Sequence, residues 1–162
     1  VPQFLFAHIL SPHPPKRFDD KCNRVSPEKF ELYGKDYSSV VRSYLNDLKC
    51  LNPLIINLVD EIVTSDKSDP YIIIQSDHGF RGKGLKSKVD DPAVKREFVA
   101  FANFNAMRVP NSCDWVGDQH FSPVNTFRIV LSCIEGKELS MLPNRYFVKL
   151  GDKLKEVYFD DF

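Results

Sequence analysis

Two histidines lie a few residues after apolar runs of the sequence, where the ends of buried strands would place polar groups. His13 stands between prolines after the run Phe4 to Ile9, and Asp77-His78-Gly79 comes after the run Tyr71 to Ile74. A carboxylate oxygen and an imidazole nitrogen together suit a divalent zinc or manganese ion. We interpret Asp77 and His78 as candidate metal ligands, and the alternative interpretation is a pair of polar residues that cap a loop.

Gly79 is the residue that would let both side chains serve one site. Neighbouring side chains on a strand point to opposite faces, so Asp77 and His78 can meet only where the chain turns. Glycine permits such a turn because it lacks a Cβ atom. A polar pair at the end of an apolar, buried strand also requires a reason, which favours a functional role.

Other polar residues near these loops have more than one interpretation. His13 is either an imidazole packed on its prolines or a preorganised contact to substrate or metal. Arg81 and Lys83, in a glycine- and lysine-rich stretch, either bind an anionic phosphate or sulfate group or belong to a solvated loop. We expect His8 to be a hydrogen-bonded core residue and His120 to be a loop residue that binds no metal.

The order of the predicted elements indicates a three-layer α/β/α fold with a mostly parallel sheet. Apolar runs predict strands, and apolar residues at helical spacing predict helices. In chain order these are a strand at Phe4 to Ile9, a helix from Tyr37 to Val63 that is either kinked or divided near Asn52-Pro53, strands at Tyr71 to Ile74 and Phe98 to Phe104, a short helix from Ser122-Pro123 to Gly136, and a hairpin of Tyr146 to Val148 with Val157 to Phe159 about Gly151-Asp152. In such folds ligands collect at the carboxyl ends of strands.

The composition is that of one soluble globular domain over residues 1–162. Apolar residues make up 43% of the chain and aromatic residues 12%, enough for one ordinary core. Basic and acidic residues number 22 each, so no overall positive charge predicts nucleic-acid binding. No run approaches the roughly 20 apolar residues of a membrane helix, and the first ten residues lack the basic flank of a signal peptide. The four cysteines form no CxxC pair, which argues against a structural zinc site and leaves one or two disulfides open.

Four local patterns occur in one order along the chain. They are the run and loop from Phe4 to Pro15, the run Ile72 to Gly79, the tripeptide Arg108-Val109-Pro110, and the stretch Ser122 to Arg128. In this order they resemble the sulfatase-like branch of the alkaline phosphatase superfamily, which includes lipoteichoic acid synthases and phosphoethanolamine transferases. The second pattern is the most specific, and the resemblance extends from Pro2 to about Leu142.

The resemblance implies attack of an activated hydroxyl group on a phosphate or sulfate ester. Asp77 and His78 would then be ligands of a zinc or manganese ion, and His13 would contact the transferring group or its leaving oxygen. If Arg81 and Lys83 bind an anionic group, as their charge suggests, that group would be the phosphate or sulfate of the substrate. The resemblance also implies a membrane-anchored parent protein whose catalytic domain lies on the extracytoplasmic side.

The family's nucleophile is the part of the pattern that this sequence does not match. In the family a threonine, serine or modified cysteine and the first acidic ligands lie well upstream of the His-x-Pro loop, and only a short segment precedes His13 here. We therefore expect the C-terminal portion of a larger catalytic domain, truncated at its N-terminus. Such a portion would contain no nucleophile, bind metal weakly or not at all, and show no turnover alone. Lys16 also stands where an aromatic residue is usual, although Phe18 is close.

Two alternatives stay open. In the first, the chain is a non-catalytic α/β module that keeps the fold and binds through the loops at Lys16 to Lys35 and Arg81 to Lys88. In the second, the four patterns occur together by coincidence in an unrelated domain. A truncated sheet would expose strand edges and core surface, so we also expect some homo-oligomerisation.

Overall fold

The computed structural model describes residues 3–15, 17–26, 37–65, 68–80, 100–116, 121–150 and 152–157. The chain divides into two compact units, one made mainly of residues up to Asp60 and the other mainly of residues from Glu61 onwards. The described helices and strands are α1 (Tyr37–Ser65), β1 (Ile72–Gln75), β2 (Asn105–Arg108), α2 (Thr126–Glu135), β3 (Tyr146–Leu150) and β4 (Lys153–Val157), with 3₁₀ helices at Asn111–Val116 and Pro123–Asn125.

Helix α1 is one helix of 29 residues with Pro53 in its interior. Of the two alternatives that the sequence left open near Asn52-Pro53, a single helix is therefore the one observed. Proline lacks a backbone N–H and so removes one intrahelical hydrogen bond. Apolar residues at helical spacing on both sides of Pro53 favour continuation of the helix past it.

The first unit docks an irregular loop onto α1. A disulfide joins Cys22 of the loop to Cys50 of the helix. Within the loop, Phe18 forms an isolated antiparallel bridge with Arg24. Asp47, which is only 1% exposed, lies on the same helix about one turn before Cys50. Its carboxylate accepts hydrogen bonds from backbone N–H groups of the loop, so covalent and hydrogen bonds both connect loop and helix.

The predicted strand from Phe4 to Ile9 is wrong, because residues 3–10 form no strand. Their apolar side chains are largely exposed, 80% for Phe4 and 88% for Leu5. An apolar run becomes a strand only when its backbone N–H and C=O groups find partners, and no described strand pairs with this run. His8 within the run is exposed, so the expectation of a core histidine is also wrong.

β1 confirms the strand that the β-branched run at Tyr71 to Ile74 predicted. It pairs antiparallel with β2, from Ile72 opposite Arg108 to Gln75 opposite Asn105. At the other side of this pair, the guanidinium of Arg108 donates hydrogen bonds to the Pro70 carbonyl oxygen at 2.6 Å and to a carboxylate oxygen of Asp69 at 2.5 Å. These bonds hold the chain at the start of β1 against the end of β2.

The strand predicted at Phe98 to Phe104 is wrong in its position. Residues 98 and 99 lie outside the described ranges, Ala100 and Phe101 are helical, and the strand begins only at Asn105. β2 has the sequence Asn-Ala-Met-Arg, which is less apolar than the segment before it. The pairing with β1, rather than local apolar content, therefore determines where β2 lies.

The described residues form a mixed α/β structure whose two sheets each have two antiparallel strands, β1 with β2 and β3 with β4. The expected mostly parallel sheet is not what these sheets show. That expectation depended on the run Phe4 to Ile9 as a strand joined to β1 through a helix, since parallel neighbours need such a crossover. With no strand in that run, the described residues contain no parallel pair.

The helix predicted from Ser122-Pro123 to Gly136 is confirmed. A 3₁₀ turn at Pro123–Asn125 leads into α2, and Gly136 ends the helix with φ 61° and ψ 30°. Proline at the first helical position fits its fixed φ angle. The Ser122 side chain, just before this proline, makes no capping hydrogen bond.

The predicted hairpin is also confirmed, with β3 and β4 paired from Tyr146 opposite Val157 to Leu150 opposite Lys153. Its second strand begins earlier than the sequence indicated, and residues 158 and 159 of the predicted strand lie outside the described ranges. The apolar core of the second unit includes Ala100, Cys113, Ile129, Val130, Val148 and Val157. A second disulfide, Cys113 to Cys133, joins a 3₁₀ helix to α2. Among the described ranges, no helix combines the length and the apolarity needed to cross a membrane.

Candidate functional site

Asp77 and His78 lie in a turn that directly follows β1, and we name residues Ser76 to Gly79 the strand-end turn. The backbone N–H of His78 donates a hydrogen bond to Asp77 Oδ1 at 3.0 Å. The second carboxylate oxygen, Asp77 Oδ2, lies 3.7 Å from His78 Nε2. The Asp77 side chain is 89% exposed and that of His78 is 28% exposed. The turn therefore brings a carboxylate oxygen and an imidazole nitrogen to one place that solvent can reach.

The hydrogen bonds of His78 determine which ring nitrogen is available to a ligand. His78 Nδ1 lies 2.6 Å from the Gly79 carbonyl oxygen. A carbonyl oxygen can only accept, so this bond requires the proton on Nδ1. In the neutral ring Nε2 then carries a free lone pair, and this is the nitrogen next to Asp77 Oδ2. A carbonyl partner of this kind on the second nitrogen is the usual arrangement for a histidine that binds a metal.

The spacing of the two atoms fits two ligands of one ion. In a tetrahedral site with bonds of about 2.1 Å, ligand atoms lie about 3.4 Å apart, close to the 3.7 Å observed between Asp77 Oδ2 and His78 Nε2. No group of three or more potential ligands occurs among the described residues. Asp77 and His78 therefore offer donor atoms of a type and spacing that suit a divalent ion, and a catalytic zinc site would need at least one further protein ligand.

Gly79 is buried, and its backbone N–H donates a 2.6 Å hydrogen bond to the carbonyl oxygen of Ala100. At the other side of the turn, the Ser76 hydroxyl oxygen accepts a hydrogen bond from the Phe104 N–H. The Ser76 carbonyl oxygen accepts one from the Asn103 side-chain amide. Sequence reasoning did not select Ser76 or Asn103. The only signal for either was the position of Ser76, one residue before the Asp-His pair.

His13 belongs to the first unit and is exposed there. Its backbone N–H donates to the Leu10 carbonyl oxygen at 2.8 Å, which closes a turn before the prolines. Its Nδ1 lies 2.6 Å from the Pro14 carbonyl oxygen. By the same argument as for His78, Nδ1 carries the proton and Nε2 is the acceptor in the neutral ring. Whether His13 touches substrate or metal stays a prediction.

Three residues of the sequence interpretation, Arg81, Lys83 and His120, lie outside the described ranges. Arg108, from the third sequence pattern, is described and forms an ion pair with Asp69. Hydrogen bonding to this guanidinium is the main reason that the pKa of Asp69 lies below its ordinary value, and the Asn111 backbone N–H adds to it. Arg108 thus connects elements beside β1 and does not form part of the strand-end turn.

Comparison with known protein families gives one match. The family model described as Sulfatase matches residues 1–108 of the 162 residues, a range that contains His13 and the whole strand-end turn. No curated protein and no solved structure matches the chain. Since the matched range is more than half of the sequence, the chain belongs to the sulfatase family.

Proposed function

We propose that this chain contributes metal ligands and substrate contacts to a sulfatase-like hydrolase or phosphotransferase that acts on phosphate or sulfate esters. The observation that carries the proposal is the strand-end turn. The sulfatase match contains it, and it places Asp77 Oδ2 and His78 Nε2 3.7 Å apart. The order of the four sequence patterns is consistent with the same proposal.

Each residue has a stated role in this proposal. Asp77 Oδ2 and His78 Nε2 hold a zinc or manganese ion, which supplies charge stabilisation to the oxygens of the transferring group when it is bound. His13 contacts the transferring group or its leaving oxygen through Nε2, which donates a hydrogen bond to such an oxygen when the ring is protonated. Arg81 and Lys83 bind the anionic oxygens of the ester, as cations do for phosphate and sulfate groups.

The nucleophile and the remaining metal ligands are proposed to lie on other residues of the parent protein. Alone, the 162 residues are expected to bind metal weakly and to show no turnover, because a catalytic zinc site usually needs three protein ligands. We also propose that the complete domain has three α/β/α layers and a mostly parallel sheet. The exposure of Phe4, Leu5 and Phe6 supports this, since such a domain would cover these side chains.

Two disulfides among the described residues, Cys22 to Cys50 and Cys113 to Cys133, support a place outside the cytoplasm. Disulfides form and persist in oxidising compartments and are rare in the cytosol. With the resemblance to membrane-anchored synthases and transferases, this supports an extracytoplasmic position for the catalytic domain of the parent.

Hydrolysis of an aryl phosphate and an aryl sulfate, with added manganese or zinc, tests the proposal. The 162-residue chain should show no turnover, and the complete parent should hydrolyse at least one of the two esters. Asp77→Ala and His78→Ala should each abolish that turnover in the parent. The matched control Asp152→Ala changes an exposed aspartate and should leave it unchanged.

Turnover by the parent that survives both Asp77→Ala and His78→Ala would remove the strand-end turn from the chemistry. Turnover by the isolated chain that Asp77→Ala abolishes would show that the chain contains its own nucleophile. A parent without turnover on either ester would favour a non-catalytic binding module with the same fold.

A further inference from the structure

We propose that Ser76 and Asn103 are positioning residues that end the β1–β2 ladder one residue before Asp77 and so turn Asp77 and His78 towards one site. This inference rests on the proposed function of the strand-end turn for its importance to activity. The hydrogen bonds that carry it stand independently of any metal.

The ladder between β1 and β2 stops in an unusual way. Its last paired residues are Gln75 and Asn105, and the backbone N–H of Ser76 continues it by donating to the Phe104 carbonyl oxygen at 2.9 Å. In a regular antiparallel pair the Phe104 N–H would donate back to the Ser76 carbonyl oxygen. Instead it donates to the Ser76 hydroxyl oxygen at 2.7 Å. A side-chain oxygen thus takes the place of a backbone oxygen.

The displaced carbonyl oxygen of Ser76 has its own partner. The Asn103 side-chain amide, Nδ2, donates to it at 3.2 Å. The Ser76 N–H, the Ser76 carbonyl oxygen and the Phe104 N–H therefore all have hydrogen-bond partners. This is the condition for a stable departure from a ladder. Serine supplies the acceptor and asparagine supplies the donor, so both side chains are needed to replace the regular backbone pair.

The consequence for Asp77 and His78 follows from strand geometry. If the ladder continued through Ser76, the next two side chains would point to opposite faces of the sheet. The bond from the Asn103 amide to the Ser76 carbonyl oxygen and the bond from the Gly79 N–H to the Ala100 carbonyl oxygen hold the turn at both ends. Between these two points, the carboxylate and imidazole approach to 3.7 Å.

The test uses the 162-residue chain, three variants and two readouts. Ser76→Ala removes the hydroxyl acceptor, Asn103→Leu removes the amide donor, and Ser76→Thr keeps a hydroxyl group at the same position. The first readout is amide hydrogen exchange at Gly79, compared with exchange at Ile129 in the core of α2. The second is broadening of the His78 ring resonances in NMR spectra as manganese is added.

Ser76→Ala and Asn103→Leu should each raise exchange at Gly79 by about tenfold relative to Ile129, the effect of one lost hydrogen bond. Both should also weaken the manganese-dependent broadening at His78. Ser76→Thr should retain the wild-type values of both measurements. Rescue by threonine distinguishes a specific hydroxyl contact from a general packing role at this position.

Asn125→Leu is the matched control, because Asn125 is a second asparagine of the same unit that bonds backbone groups, here those of Leu142. Asn125→Leu should raise amide hydrogen exchange at Ile129. Exchange at Gly79 should rise only as far as the lower global stability of this variant accounts for. Equal effects of Asn103→Leu and Asn125→Leu on Gly79 would overturn the inference. Unchanged Gly79 exchange in Ser76→Ala would overturn it as well.

The two readouts separate this inference from the proposed function. The metal role of the turn is wrong if manganese does not broaden the His78 ring resonances in the wild-type chain and Asp77→Ala does not change turnover in the parent. The exchange measurements then decide the positioning inference by themselves. If manganese broadens His78 equally in the wild type and in Ser76→Ala, the metal role stands and the positioning inference is overturned.

Discussion

The carboxylate of Asp47 accepts a hydrogen bond from the backbone N–H of Phe18, 2.9 Å away. It also accepts one from the Arg17 N–H at 3.1 Å, and the residue is only 1% exposed. A buried carboxylate is stable only when its oxygens are hydrogen-bonded. With the Cys22–Cys50 disulfide about one turn further along α1, Asp47 fixes the loop that follows His13 to the helix.

Replacing Asp47 should destabilise the protein through this loop. Asp47→Leu leaves the N–H groups of Arg17 and Phe18 without their acceptor, and should lower the free energy of unfolding by about 2–3 kcal/mol. Asp47→Asn keeps one acceptor oxygen and should cost about half as much. Urea unfolding followed by the circular dichroism of the helices measures both.

The control for Asp47 is Asn57→Leu, which changes an exposed residue of the same helix. It should alter the free energy of unfolding by less than about 0.5 kcal/mol. Equal losses in Asp47→Leu and Asn57→Leu would mean that the carboxylate does not hold the loop.

Removal of the Cys22–Cys50 disulfide should weaken the same connection. The two cysteines are 28 residues apart in the sequence, and a crosslink of that span stabilises a protein by about 3–4 kcal/mol in the chain-entropy account. The double variant Cys22→Ser with Cys50→Ser should lose stability in that range under urea. A thiol assay that finds four free cysteines in the native protein would contradict the prediction at its basis.

The pair of Asp69 and Arg108 should make stability depend on acid. The Arg108 side chain, then the Asn111 N–H, lower the pKa of Asp69. A carboxyl group whose folded-state pKa is depressed adds stability above its unfolded-state pKa, and this stability is lost as pH falls through the folded-state pKa. Unfolding of the wild type should therefore become easier below about pH 4, and Asp69→Asn should flatten that dependence.

Titration of single carboxyl groups by carbon NMR tests the cause of this shift. Arg108→Leu should raise the pKa of Asp69 towards its ordinary value. Arg145→Leu should leave the pKa of Asp69 unchanged. It should instead raise the pKa of Glu156, because hydrogen bonding to Arg145 lowers that pKa in the native protein. An Asp69 pKa that stays the same in Arg108→Leu would assign the shift to another group.

Elements with a complete local signal were predictable from the sequence. The β-branched run before Asp77 became β1, and the Ser122-Pro123 start and Gly136 end became α2. The run Phe4 to Ile9 had the same apolar character as β1 and formed no strand, because a strand also needs a partner. Sequence shows the apolar character of a run, and it does not show the partner.

The candidate site divides in the same way. Asp77 and His78 could be identified as candidate metal ligands because a carboxylate and an imidazole can bind metal and because they follow a clearly predicted strand. Ser76 and Asn103 are ordinary loop residues, and the bond between them joins positions 27 residues apart. Nothing local to either residue indicates this bond, since it depends on the register of β1 with β2.

Gly136 provides a prediction in which only backbone conformation changes. Its φ of 61° is left-handed, where a side chain is unfavourable, and a Cβ added there would meet no atom within 4 Å. Gly136→Ala should therefore lower the free energy of unfolding by about 1 kcal/mol through backbone strain alone. Gly136→Asn should cost less, because asparagine tolerates this conformation better than alanine does. The control Glu135→Ala, one residue earlier in the helix, should change stability by less than about 0.5 kcal/mol. If Gly136→Ala and Glu135→Ala unfold at the same urea concentration, the left-handed end of α2 does not limit the residue at this position.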